Sequence, residues 1–218
     1  MTATITRPRV AVLGAGHVGS VVARMMVEAG YHVTVAASGD PSRIDLIASV
    51  LIPGATTAWA KDAVASADLV VMAIPLHRFA TLDRVMLGGK IVVDTMNYWS
   101  PTDGVQPLFE QSPLTSSETV QRELVDSVVV KAFNHIGYHE MEADRSAAGT
   151  PDRRALGVAS DDPHAAVLVA AAVDAMGYDA IILSNLRDGA AFEPGGPVFG
   201  ARLTASQFTD AVAPLAAA

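Results

Sequence analysis

The sequence contains no cysteine. That excludes a disulfide framework, a thiolate nucleophile and a zinc–thiolate site. Long uncharged apolar runs are also missing. The most apolar extended stretch, Ala165–Met176, is interrupted by Asp174 and is too short to span a bilayer. Met1–Arg9 has no apolar core of the kind a secretory signal needs, so a cytoplasmic protein with no membrane partner is expected. Basic residues are few, 15 Lys and Arg against 23 Asp and Glu, for a formal net charge of −8. Nucleic-acid binding relies on basic surface to displace counterions, so nucleic acid is not an expected partner. A local basic pocket for one phosphate is still compatible with that balance. No His/acid spacing makes a metal site: His139-Glu140 is not part of an H-E-x-x-H pattern.

What is present is apolar and finely alternated. Half of the 218 residues are hydrophobic, enough for a sizeable core in one domain or one domain with a small appendage. The strongest local signal is Arg9–Gly19. A short apolar strand, Val10–Leu13, runs directly into Gly14-x-Gly16-x-x-Gly19, and a helix-patterned stretch, Val18 to Ala29, follows. A dinucleotide-binding fingerprint requires this strand–turn–helix context. Gly14 permits the tight turn, Gly16 lets the backbone approach a pyrophosphate, and Gly19 lets the helix pack on the strand. The helix N-terminus adds free N–H groups and partial positive charge.

Tyr31–Ala36 is rich in β-branched residues and predicts the second strand. NAD-binding folds usually place an acid near its end for the ribose 2′-hydroxyl, and here those positions are Ala36, Ala37 and Ser38. Ser38 can donate to a 2′-phosphate and Arg43 can grip it, which favours NADP(H). Asp40, beside Pro41, brings a negative charge into the same loop unless it is an ordinary turn or helix cap.

Further strands are predicted at Ala55–Ala58, Asp68–Ala73, Lys90–Asp94, Val128–Ala132, Arg154–Ser160 and Tyr178–Leu183. Helical segments fall at Asp45–Leu51, Lys61–Ser66, Ser117–Val125 (Ser117 as its cap), around His139-Glu140, Asp162–Met176 and Ala201–Ala218. Pro101–Pro113 is expected to be irregular, and Phe192–Gly200 a rigid loop. The alternation implies an α/β fold, a doubly wound parallel sheet. Residues 1–127 are expected to form the nucleotide-binding part. Residues 128–218 supply substrate-side strands and a C-terminal helical and loop cover.

Ligands of open α/β sheets bind beyond the carboxyl ends of the strands. Three further strand ends are therefore candidates: Ala73, Ile74 and Pro75; Asn97 with Tyr98 and Trp99; and Asn134, His135 and Ile136. Tyr98 and Trp99 can wall a ring-shaped ligand or cap the core. His135 is the one candidate acid, base or donor. Arg145, Arg153 and Arg154 form either a solvated face or a landing site for an acidic substrate tail.

Several strings taken together resemble the NADPH-dependent reductases of the deazaflavin coenzyme F-420: V-A-V-L-G-A-G-H-V-G (Val10–Gly19), V-V-M-A-I-P (Val70–Pro75), I-V-V-D-T-M-N-Y-W (Ile91–Trp99), V-V-K-A-F-N-H-I (Val129–Ile136) and R-R-A-L-G-V-A-S-D-D (Arg153–Asp162). Many dehydrogenases share the glycine motif, so the later strings carry the specificity. The resemblance implies a Rossmann fold with a small C-terminal part, often dimeric, so a homodimer is expected. It implies hydride transfer between NADP(H) and coenzyme F-420 or a related flavin. Carried onto this chain, Gly14, Ala15, Gly16, His17, Val18 and Gly19 would hold the pyrophosphate, with Ser38 and Arg43 on the 2′-phosphate. Ala73, Ile74, Pro75 and Asn97 would seat the nicotinamide, while Asn134, His135 and Ile136 face the second ring. The chain departs from the family at Gly39-Asp40, where members often carry a basic residue. Two other readings fit the residues: an NADPH-dependent reductase of a small C=O or C=N compound using His135 or Tyr98 as proton donor, and a non-catalytic NADP-binding sensor.

Overall fold

The computed structural model describes residues 7–216; Met1–Thr6 and the last two residues of the Ala201–Ala218 stretch lie outside them. Strand β1 (Arg9–Leu13) is buried from Val10 onward. Gly14 turns the chain at a φ of +115°, a conformation only glycine adopts readily, and α1 (His17–Glu28) follows. Then come β2 (His32–Ala36), α2 (Ser42–Leu51), the two-residue β3 (Thr56–Thr57), α3 (Ala60–Ser66) and β4 (Leu69–Met72). Short 3-10 turns at Leu76–Thr81 and Arg84–Leu87 lead to β5 (Ile91–Asp94). The expected irregular stretch instead holds two one-turn helices, α4 (Ser100–Asp103) and α5 (Pro107–Glu110), each with a Pro in its first turn where no N–H is missed.

Helix α6 (Ser116–Glu123) is capped by Thr115, not by Ser117. The Thr115 hydroxyl accepts from the Glu118 N–H, and the Glu118 carboxylate accepts from the Thr115 N–H at 2.8 Å, a reciprocal capping box. The chain closes with β6 (Val128–Ala132), β7 (Ala155–Ala159), α7 (Pro163–Ala175), β8 (Asp179–Leu183), a 3-10 segment at Leu186–Phe192 and α8 (Ala205–Ala216). Helix α7 starts as its sequence implies, with the Asp162 carboxylate accepting from the Ala165 N–H and Pro163 in the first turn.

The described strands form one eight-stranded sheet in the order β3-β2-β1-β4-β5-β6-β7-β8. Alternate residues of β1 feed the two faces: Val10 and Val12 pack with α1 and α7, while Ala11 and Leu13 pack with α3 and α6. The sheet is doubly wound but not wholly parallel. β7 runs antiparallel to β6, and β8 follows β7. The residues between β6 and β7 make turns rather than a helix, those around His139-Glu140 included. A parallel neighbour needs a crossover that carries the chain back along the sheet, and this connection has no helix to make one. A separate apolar cluster, with Phe192, Val198, Phe208 and Val212 over β7, forms the C-terminal cover.

Candidate dinucleotide site at the strand ends

Register brings the candidate loops together. Leu13 stands opposite Met72, Met72 opposite Asp94, and Asp94 opposite Lys131. The chains leaving β1, β4, β5 and β6 therefore emerge side by side along one rim. The order reverses between β1 and β4, since β1 leads to β2 on its other flank. That switch point is where open α/β sheets leave a crevice.

The three fingerprint glycines occupy different environments. A Cβ on Gly14 would lie 2.2 Å from the Ala73 carbonyl oxygen, and one on Gly19 would lie 2.0 Å from the Gly14 oxygen. Both are needed for backbone to approach backbone. Apart from its chain neighbours Ala15 and His17, Gly16 has nothing within 4 Å of its Cβ position, and it is exposed. That open stretch of main chain leaves room for a pyrophosphate. Gly16 is also the N-cap of α1; no side chain caps that end, and its first turn holds no acid. The free N–H groups and helix dipole are left available to an anion. These residues fit a dinucleotide diphosphate. Around the cradle, Ala15 and Val18 are half-buried against the core and His17 is exposed.

Along the same rim, Ala73 and Ile74 are half-buried and Pro75 is exposed. The Asn97 amide donates to the Asn134 carbonyl at 2.7 Å, while the Asn134 amide donates to Asn97 Oδ1 at 2.9 Å and to the Phe192 carbonyl at 2.7 Å. The ends of β5 and β6 are thus latched to each other and to the C-terminal cover. Tyr98 packs against Phe109 and its hydroxyl donates to Glu110, a bond that holds its pKa above the ordinary phenol value. Trp99 is half exposed and lies edge-on to Phe199, centroids 6.3 Å apart.

Asn134, His135 and Ile136, expected to face a ligand, all have buried side chains. Phe133 takes a φ of +63°, uncommon for a bulky residue, and the chain turns inward there. His135 stacks on Phe192 at 4.8 Å, and its Nε2 accepts the Gly157 N–H at 3.1 Å. Burial first, then the Arg154 and Lys131 charges, push its pKa down to about 3. A neutral imidazole enclosed in this way does not deliver protons to a ligand. It does make stability pH-dependent. The unfolded chain binds a proton near pH 6.5 that the folded chain refuses, so stability is lost as pH falls from there toward 3, at about 1.4 kcal/mol per pH unit. Unfolding free energies from urea titrations at pH 7 and pH 5 are expected to differ by roughly 2 kcal/mol more in wild type than in His135→Phe. Equal differences would show that the imidazole does not titrate this way.

Beneath the rim lies a charged cluster that sequence reading passed over. Lys131 and Asp94 are fully buried, with Nζ 3.2 Å from Asp94 Oδ2. Lys131 also donates to the Met96 carbonyl at 2.6 Å and to Ser116 Oγ at 3.4 Å. Asp94 accepts from the Ser117 hydroxyl at 2.6 Å and from the Met96 N–H at 2.9 Å. Ser116 in turn donates to Glu193 through its N–H and its hydroxyl. One signal was available. Two adjacent strands read I-V-V-D and V-V-V-K, apolar runs that end in opposite charges at the same register position.

Ser38, on the loop after β2, and Arg43, in the first turn of α2, are both exposed. The Asp40 carboxylate accepts the Ser42 N–H at 2.9 Å, which lowers its pKa and ties it to the start of α2. The arginine cluster does not exist as a patch. Arg153 is buried between Asp174 at 2.7 Å and Asp179 at 2.9 Å. Arg154, also buried, pairs with Glu140 and Asp144. Arg145 pairs with Glu28 on α1. Adjacent residues entering a strand point to opposite faces, so Arg153 and Arg154 anchor β7 from both sides.

The doubly wound, mostly parallel sheet with a glycine turn at its switch point defines a Rossmann-like fold. Residues 9–98 match the family described as NADP oxidoreductase, coenzyme F-420-dependent. The chain is similar to the crystal structure of hypothetical protein SMa0349 from Sinorhizobium meliloti, with a TM-score of 0.78 and 26% identity, covering 90% of this chain and 95% of that one. It is also similar to a protein from Arthrobacter sp. described as a candidate F-420-dependent NADP reductase, with a TM-score of 0.67 and 26% identity over 82% and 86% of the two chains. An imine reductase from Myxococcus stipitatus in complex with NADP+ shares the fold at 18% identity and a TM-score of 0.56, over 83% of this chain and 56% of that one. No curated protein sequence matches the chain. No helix among the described residues is long and apolar enough to cross a membrane.

Proposed function

We propose that this chain is an NADP(H)-dependent oxidoreductase whose second substrate is coenzyme F-420 or a related flavin. The observation that carries the reading is the open face of Gly16 at an uncapped helix N-terminus, on the same rim as the ends of β4, β5 and β6. Bound NADP(H) supplies or accepts the hydride. The chain's own part is positioning: the glycine loop holds the diphosphate, Ser38 and Arg43 hold the 2′-phosphate, and Ala73–Pro75 with Asn97 seat the nicotinamide. Hydride transfer between stacked rings needs alignment rather than a proton donor at the transferred atom. That suits a rim where His135 is enclosed and the Tyr98 hydroxyl is engaged by Glu110. The same two facts count against a carbonyl or imine reductase that uses either residue as donor.

The test is anaerobic mixing of the protein with NADPH and oxidised F-420 while following the deazaflavin's visible absorbance. Protein-dependent bleaching is expected. NADPH binding by calorimetry without bleaching would overturn the deazaflavin assignment. In Arg43→Ala, NADPH affinity is expected to fall about tenfold while NADH affinity holds, the size of one charge-assisted hydrogen bond. An unchanged ratio would remove Arg43 from the 2′-phosphate site.

A further inference from the structure

Contacts run along one face of α1 from end to end. At its first residue, His17 stacks on Tyr138, ring centroids 4.7 Å apart and planes 12° apart. Further along, Arg24 Nε donates to Glu142 at 2.6 Å. At its last residue, Glu28 pairs with Arg145. Positions 17, 24 and 28 are seven and four apart, a spacing that keeps them on one helix face. The segment 138–145, which follows β6, is therefore a strap laid along the fingerprint helix.

The strap brings an aromatic residue from the second half of the chain to the diphosphate cradle. His17 adjoins Gly16, is exposed, and forms no hydrogen bond through its ring among the described residues. The first turn of α1 holds no acid, and its free N–H groups and dipole favour an anion at that end. Left to itself, an exposed imidazole samples several rotamers and loses that freedom on binding. Stacked on Tyr138, it is already held.

We propose that Tyr138 is a positioning residue of the dinucleotide site: it holds His17 as a hydrogen-bond donor to the diphosphate, and the strap holds Tyr138 in place. The proposal rests on the dinucleotide-binding half of the function proposed above. The Arg24–Glu142 bond raises the arginine pKa and lowers that of the carboxyl, so both stay charged and the strap stays fastened through the neutral range.

The experiment is calorimetric titration with NADPH, and displacement of NADPH by inorganic pyrophosphate, in wild type, Tyr138→Ala, Tyr138→Phe, His17→Ala and the Tyr138→Ala/His17→Ala double variant. Tyr138→Ala is expected to weaken NADPH and pyrophosphate by about the same factor, roughly fivefold, the size of one aromatic stacking contact. Tyr138→Phe keeps the stack and is expected to bind within about twofold of wild type. In the His17→Ala background, Tyr138→Ala is expected to add nothing, because its effect passes through the imidazole. A lower melting temperature in Tyr138→Ala with unchanged affinities would make the stack merely structural and overturn the proposal, as would additive losses in the double variant. Failure of wild type itself to bind NADPH would instead overturn the dinucleotide reading on which it rests.

Discussion

Gly19→Ala is expected to destabilise the fold strongly, whereas Gly16→Ala is expected to leave it intact and abolish tight nucleotide binding. Alanine is ordinarily the better helix residue by about 1 kcal/mol. At Gly19 that gain is overwhelmed. The new methyl would stand 2.0 Å from the Gly14 carbonyl oxygen and 3.3 Å from the Ala73 side chain. A backbone oxygen cannot rotate away, so α1 must back off from β1, disturbing the packing of Val22, Met25 and Met26. Overpacking of this kind costs roughly 1–3 kcal/mol or more. At Gly16 the backbone is extended, with φ −80° and ψ −168°, a conformation alanine adopts freely, and the space beside it is open. The stability cost there is below about 1 kcal/mol, the difference between glycine and alanine at a helix cap. NADPH affinity, measured by calorimetry, is expected to fall at least about tenfold, since the methyl takes the space the pyrophosphate needs. Wild-type affinity in a folded Gly16→Ala protein would place the diphosphate elsewhere.

Breaking the buried Lys131–Asp94 pair is the second large effect. Lys131→Met leaves the Asp94 carboxylate in a dry interior with only Ser117 and the Met96 N–H to compensate it. Asp94→Leu leaves the ammonium with the Met96 carbonyl and Ser116. Each single change is expected to cost about 3–5 kcal/mol, chiefly the cost of an unpaired buried charge. In a chain of this size that lowers the melting temperature by on the order of 10 °C. The double variant Lys131→Met/Asp94→Leu is expected to be more stable than either single one, because both charges are gone and apolar side chains fill their place. Chemical denaturation of the four proteins gives the cycle directly. Additive losses would mean that the two groups do not act as a pair.

Much of the fold could be read from local pattern. The apolar run, the glycine turn and the helix behind it form contiguously, and their chemistry is complete within Arg9–Glu28. Strand β6 begins with its β-branched run, Val128–Val130, and α7 starts at the Asp162-Pro163 signal. The strings at the four strand ends were legible too, and register does carry them to one rim. Boundaries slipped where two caps competed. Thr115 and Ser117 both resemble helix starts, and Glu118 decides for Thr115 through the capping box, which leaves the Ser117 hydroxyl for Asp94.

The amino-acid sequence by itself determined the strand, glycine turn and helix of Arg9–Glu28, because a glycine fingerprint acts through the backbone of adjacent residues. Only the tertiary structure decided what the polar residues beyond it do. His135 reads as a candidate acid until Phe192, Phe208 and Gly157 close around it. Arg153 and Arg154 read as surface until Asp174, Asp179, Glu140 and Asp144 arrive from other segments. β7 reads as one more parallel strand until the connection before it proves to lack a crossover helix. In each case the deciding partner is distant along the chain. Burial and charge pairing belong to the place where segments meet, and no local pattern specifies that place.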